Sequence, residues 1–145
     1  MKKFLPLFMA FCLIFTLCVS ASSDITILVD GKTLNSEVPP TNVEGRTMVP
    51  MRVIFEELGA NVTWIPESRM IRATYREKII DLKVDAKVLM LCNVATGKIT
   101  RTELDVAPFI TNGRTLVPVR AISEALGATV GWNNDTRTVT IKSAK

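Results

Sequence analysis

The 145-residue sequence contains no histidine. Without an imidazole there is no side chain of ordinary pKa near neutrality to act as general base, no nitrogen ligand for a transition metal, and no middle member for a Ser or Cys triad. Cysteine is equally scarce. Cys12 and Cys18 lie in the N-terminal apolar run, which leaves Cys92 alone in the body of the chain and no internal disulfide to staple it. Cys92 ends the apolar run Val88-Leu89-Met90-Leu91-Cys92, the setting of a buried, inert thiol in a strand. Linkers rich in Pro, Gly or Ser are also missing, so one compact domain is expected. The 48% hydrophobic and 22% charged fractions suit a globular chain with its own core.

The first 21 residues read as a secretory leader. Lys2 and Lys3 precede the apolar stretch from Phe4 to Val19, and Val19-Ser20-Ala21 supplies small residues for cleavage. Pro6 and the shortness of the run argue against a retained membrane anchor. Removal would leave residues 22–145 with 16 basic and 14 acidic side chains, a net of +2 in place of +4. That imbalance is too weak to imply a nucleic-acid or membrane partner.

The strongest signal is internal similarity. The segment Gly45-Arg46-Thr47-Met48-Val49-Pro50-Met51-Arg52 onward to Ile71 recurs 68 positions later, from Gly113 to Val139, with 14 of 27 positions identical. Chance at ordinary composition would give about two. The pattern predicts two tandem hairpin–helix–hairpin units, over about 25–75 and 78–142. Glu44-Gly45 and Asn112-Gly113 mark hairpin turns, and Pro50 and Pro118 suit a first helical turn. Met51, Ile54, Phe55 and Leu58 form an apolar stripe on a helix of about nine residues. The second copy keeps Val119, Ile122 and Leu126 but has Ser123 in place of Phe55. Gly59 and Gly127 suit left-handed caps. The period then changes to two through Ala60, Val62 and Trp64, and through Ala128, Val130 and Trp132. Asp30-Gly31 marks a further hairpin, and more strands are expected at 78–84, 87–94 and 98–106. The expected class is α+β, a mainly antiparallel curved sheet with two short helices.

Four residues are candidates for ligand or partner contact. Trp64 and Trp132 are either sugar-binding platforms or, the stronger reading, anchors of each unit's core. Arg46 and Arg114 either grip a carboxylate or phosphate or, the stronger reading, stitch hairpin to helix through hydrogen bonds. Arg52–Glu56 and Arg120–Glu124 are i,i+4 pairs of small energetic weight. Ala95-Thr96-Gly97-Lys98 lacks the glycine of a phosphate loop. The carboxylates Asp81 with Asp85, and Glu56 with Glu57, have no cleft implied around them. No catalytic residue, cofactor or metal is expected, and the chain reads as a non-enzymatic module.

From Asp105-Val106-Ala107-Pro108 through Gly113-Arg114-Thr115-Leu116-Val117-Pro118 to Trp132, and in the first copy back to Asp30-Gly31, the chain resembles the copper amine oxidase-like N-terminal, or stalk, domain. The resemblance implies a protein of Gram-positive bacteria, secreted or associated with the cell wall. It implies an antiparallel sheet twisted around a helix, and a stalk role from which homodimerisation follows. Its partner would be an envelope component or another protein, with a cell-wall glycan or small ligand held by the Trp and Arg residues as the alternative. The oxidase chemistry does not carry over. It belongs to a separate domain with three His ligands for copper and a Tyr converted to a quinone, whereas Tyr75 lies in Ala73-Thr74-Tyr75-Arg76, without the flanking Asn and acid. The polar segment from Cys92 to Thr102 is the departure most suited to a specificity loop.

Overall fold

A computed structural model describes residues 24–144. The leader expected at residues 1–21, with Cys12 and Cys18, lies outside them.

Two hairpins and a helix are followed by a five-stranded sheet, and a hairpin, a second helix and a last hairpin complete the order. Strand β1 (Thr26–Val29) turns at Asp30-Gly31 into β2 (Lys32–Thr33). Strands β3 (Thr41–Val43) and β4 (Arg46–Pro50) lead directly into helix α1 (Met51–Glu57). Five antiparallel strands follow: β5 (Asn61–Ile65), β6 (Met70–Tyr75), β7 (Lys78–Lys83), β8 (Val88–Asn93) and β9 (Ile99–Glu103). Then β10 (Phe109–Thr111), β11 (Arg114–Pro118), helix α2 (Val119–Ala125), β12 (Thr129–Asn133) and β13 (Thr138–Lys142) close the chain.

The turns form for local reasons. Glu44 and Gly45, at φ 50° and 79°, and Asn112 and Gly113, at 48° and 69°, both take the left-handed pair that a tight two-residue hairpin requires. Gly59 and Gly127 stop the helices at φ 85° and 86°, and their amides donate to the carbonyls of Glu56 and Glu124. Each helix has seven residues, not about nine, because Leu58 and Leu126 already serve as caps. Pro50 and Pro118 sit one position earlier than expected. Each ends its strand and is the helix N-cap, with no side-chain cap bond.

The class is α+β and mostly antiparallel, but the strands are divided among three sheets instead of one. The central sheet, in the order β10-β11-β4-β3, joins the two halves where β11 pairs antiparallel with β4. Val117 faces Val49, Leu116 faces Pro50 and Pro118 faces Met48. Within that sheet β3 pairs β4 as β10 pairs β11, with partners offset by 68 throughout. The hairpins β5-β6 and β12-β13 keep the same offset, Asn61 facing Thr74 as Thr129 faces Lys142.

The halves differ in what covers these outer hairpins. β6 gains β7, antiparallel, and the five-stranded sheet grows from there. β13 instead gains β1, running parallel with Thr26 beside Thr138 and Val29 beside Ile141. The join is locked when Ser143 donates from its amide and hydroxyl to the Asp30 carboxylate. A predominantly antiparallel reading of the sequence did not contain this parallel pair.

One continuous core spans both halves. Val49 and Val117 point into it, with Met51, Ile54, Phe55 and Leu58 from α1 and Val119, Ile122 and Leu126 from α2. The flanking sheets add Ile27, Val139 and Ile141 on one side and Ile71, Ile80, Leu82 and Leu89 on the other. The opposite face of the central sheet carries a smaller cluster of Met48, Leu116 and Val106. Burying one such aliphatic side chain stabilises by about 1.5–3 kcal/mol, so helices too short to persist alone are held by what they cover.

One fully buried pair changes from apolar to polar between the halves. Phe55 is fully buried, and at the equivalent place Ser123 is fully buried too, its hydroxyl donating to the Val119 carbonyl at 2.7 Å. Phe55→Ala should therefore cost about 3–5 kcal/mol, as a large cavity does. Ser123→Phe, which copies the first half into the second, should destabilise by about 1–3 kcal/mol or more through overpacking. Urea denaturation midpoints at constant m-value check both; a neutral Ser123→Phe would show that the second half has room for the ring.

Candidate functional site

Each half contributes a hairpin arginine, and each arginine reaches across to the other half. Arg46, at the start of β4, holds Asp105 through Nε at 2.7 Å and Nη2 at 2.6 Å. Arg114, at the start of β11, donates from Nη2 to Glu37 at 2.8 Å. Asp105 lies just before β10 and Glu37 just before β3, again 68 apart. The two pairs are thus one exchange made twice. This corrects the expectation that Arg46 and Arg114 stitch hairpin to helix; neither bonds to its helix. Once the chain leaves β4, α1 turns to the core side, while the hairpin end faces the loop ahead of the opposite hairpin.

Two clefts open beside these pairs. The larger, of about 820 Å³, is lined by Arg46 and Asp105 together with Arg120, Glu124, Trp132 and Asn134. The smaller, of about 620 Å³, places Arg114 and Glu37 with Arg52 and Trp64. Each cleft therefore takes its hairpin arginine from one half and its tryptophan from the other. All four candidates from the sequence are brought to clefts, in the crosswise pairs Arg46 with Trp132 and Arg114 with Trp64.

The clefts are not equivalent. Trp64 is half-buried and packs against the main core, as a core anchor should. Trp132 does not join that cluster and leaves 40% of its surface exposed. The core reading therefore fails for Trp132. Trp64 and Trp132 hold equivalent places, each on the outer strand of its sheet near the turn of its hairpin, so the difference lies in what packs around them. The helix wall differs as well. Ala121 stands in the larger cleft where Val53 stands in the smaller, and β8 and β9 add Leu89, Leu91 and Thr102 to the larger one.

Arg120 carries more structure than its i,i+4 partner suggests. Its Nη1 donates to Glu124 at 3.4 Å and to the Val130 carbonyl at 3.2 Å, tying α2 to the outer strand β12. Arg52 bonds Glu56 at 3.3 Å. At the other end of α2, Lys78 donates to the Ala125 carbonyl at 3.3 Å, where a cation complements the helix terminus. Sequence reasoning missed Glu37 and Asp105, although a signal was present: both are acidic and share the 68-residue offset. The segment from Cys92 to Thr102 forms the β8-β9 hairpin, with Val94 59% and Ile99 64% exposed; Cys92 itself is partly exposed, not buried.

Among the described residues, no group of three or more His, Cys, Asp or Glu side chains is placed to hold a metal ion, and no helix is long and apolar enough to cross a membrane.

Residues 28–141 match the family model described as copper amine oxidase N-terminal domain. No curated protein matches the chain. The residues present do not fit the copper and quinone of the oxidases. There is no His, and the one Tyr, Tyr75, has its ring under Arg76 at 4.9 Å and donates its hydroxyl to the Ala144 carbonyl at 3.4 Å.

The exchanged pairs are solvent-exposed, so they should orient the hairpins and add little stability. A double-mutant cycle of Arg46→Ala and Asp105→Ala should give a coupling below about 1 kcal/mol, reduced further at about 1 M salt. Chemical denaturation at the two ionic strengths checks this; a coupling of several kcal/mol, indifferent to salt, would contradict it.

Proposed function

The chain belongs to the copper amine oxidase N-terminal domain family, and from that premise we propose that it is a non-enzymatic interaction module of the cell envelope. It is exported by its N-terminal leader and holds an envelope component or another protein at the cell exterior, with a second copy of itself as one such partner. The observation that carries this reading is the use made of its charged side chains. In both clefts the hairpin and helix guanidiniums are engaged by carboxylates of the same chain, which supports a framework more than a reaction centre. The absence of His from the sequence points the same way.

A second reading has one specific observation in its favour. The exposure of Trp132 within the larger cleft supports binding of a glycan or small ligand there, with Arg46 beside it; the packed Trp64 and its neighbour Arg114 are weaker candidates.

Fractionation of cells expressing the protein tagged at Lys145 tests the module. The account expects the tag outside the cytoplasm, in the envelope fraction, together with a cross-linkable partner. Tagged protein found wholly free in the medium, or retained in the cytoplasm, and without a partner would overturn it.

A further inference from the structure

We propose that the larger cleft is a saccharide-binding site, with Trp132 as its stacking platform and a neutral, hydroxyl-rich sugar as its ligand. The inference rests on the second reading above, within the module, and narrows its ligand class.

The argument starts from the cost of leaving an indole in water. Trp64, at the equivalent position, is half-buried against the core, yet Trp132 stays 40% exposed and outside it. The ring lies in the wall of a concavity of about 820 Å³, within the range of about 300–1,000 Å³ typical of small-molecule sites. An exposed aromatic face in a concave site calls for a ligand with an apolar face of its own.

Charge narrows the class. The cleft is lined by Arg46, Arg120 and Arg137 and by Glu103, Asp105 and Glu124, so formal charges balance. Arg46 and Arg120 already bond carboxylates. An anionic ligand would have to compete for those guanidiniums, and a cationic one for the carboxylates. An uncharged ligand disturbs neither.

Hydrogen bonding narrows it again. An ion pair presents donors and acceptors side by side, and Asn134 adds an amide with both. A sugar hydroxyl is itself donor and acceptor, so it can bridge such a pair without breaking it. A purely apolar ligand would strip water from these groups and return nothing. A pyranose combines the two demands, a C–H face for the indole and a rim of hydroxyls for the ion pairs. The smaller cleft lacks the open platform, and Val53 narrows it where Ala121 widens the other. One site per chain follows.

The test is a fluorescence titration of the purified protein with chitotetraose and cellotetraose, and with a heparin-derived hexasaccharide as the anionic probe. Trp132 emission should shift or quench saturably with at least one neutral tetrasaccharide, with little change in affinity up to about 0.5 M salt. Trp132→Ala should weaken binding, followed by calorimetry, by at least about tenfold. Ala121→Leu, which narrows the cleft and keeps the indole, should weaken it as well, and Trp64→Phe should leave it within about twofold. Unchanged thermal midpoints of these variants exclude misfolding as the cause. No response to either neutral sugar would overturn the proposal. So would salt-sensitive binding of the anionic probe alone, or equal losses in Trp64→Phe and Trp132→Ala. Sedimentation with isolated envelopes separates the two readings. If Trp132→Ala sediments as fully as the unaltered protein, the saccharide site fails while the module stands; if the unaltered protein does not sediment, the module reading fails whatever the titration shows.

Discussion

The pairing of β4 with β11 is the constraint on which the remaining structure depends. Val49 lies opposite Val117, both without exposed surface, at positions equivalent in the two halves. Each of these strands runs straight into a helix, so fixing their register also fixes where α1 and α2 begin and which faces they bury. The helices then cover the core between the two outer sheets, and neither half has an apolar interior of its own. The same pairing brings each hairpin end against the loop that leads into the other hairpin, which is why Arg46 meets Asp105 and Arg114 meets Glu37. Composite clefts are a consequence of how the halves join.

What the sequence revealed was chemistry confined to a few neighbouring residues. Asn112-Gly113 can hardly do other than turn, Gly127 ends its helix, and the stripe Met51, Ile54, Phe55, Leu58 is buried as its spacing requires. What it concealed depends on residues far apart in the chain. No local property of Ile27 or Val29 says that β1 will run parallel beside β13 and so complete the second half. Trp64 and Trp132 occupy equivalent positions in similar segments, yet only the first packs against the core, because a side chain's burial is decided by what other strands supply. For the same reason Arg46 and Arg114 were legible as a matched pair of residues, but their partners, 59 and 77 positions away, were not. The candidate site was visible as residue types, and its crosswise assembly was not.

The charged surface orients more than it stabilises. Most ion pairs are exposed on both sides, where screening leaves each a small contribution. Arg72 on β6 shows the ordering role clearly, with Nε and Nη2 donating to the two oxygens of Asp81 on β7 at 2.7 and 2.6 Å. That bidentate bond, and then the carboxylate's charge, raise the guanidinium pKa above its ordinary value. A raised pKa in the folded state means that the guanidinium's share of the pair's contribution is complete below the unfolded-state value. It is lost only as pH rises through the folded one, far into alkali. With no His in the chain, stability and any binding in the clefts should be flat across neutral pH.

An inert framework joined at one strand pair should open as one unit. Native-state hydrogen exchange measures this directly, because it reports the opening free energy of each amide. The protected amides of β6 and β7 and those of β11 and β13 should converge on one global value as denaturant is raised, with Val49 and Val117 among the last to exchange. A second half that opens at a distinctly lower free energy while the first stays closed would contradict the account, for the halves would then be separate bodies in contact and the clefts between them would have no fixed walls.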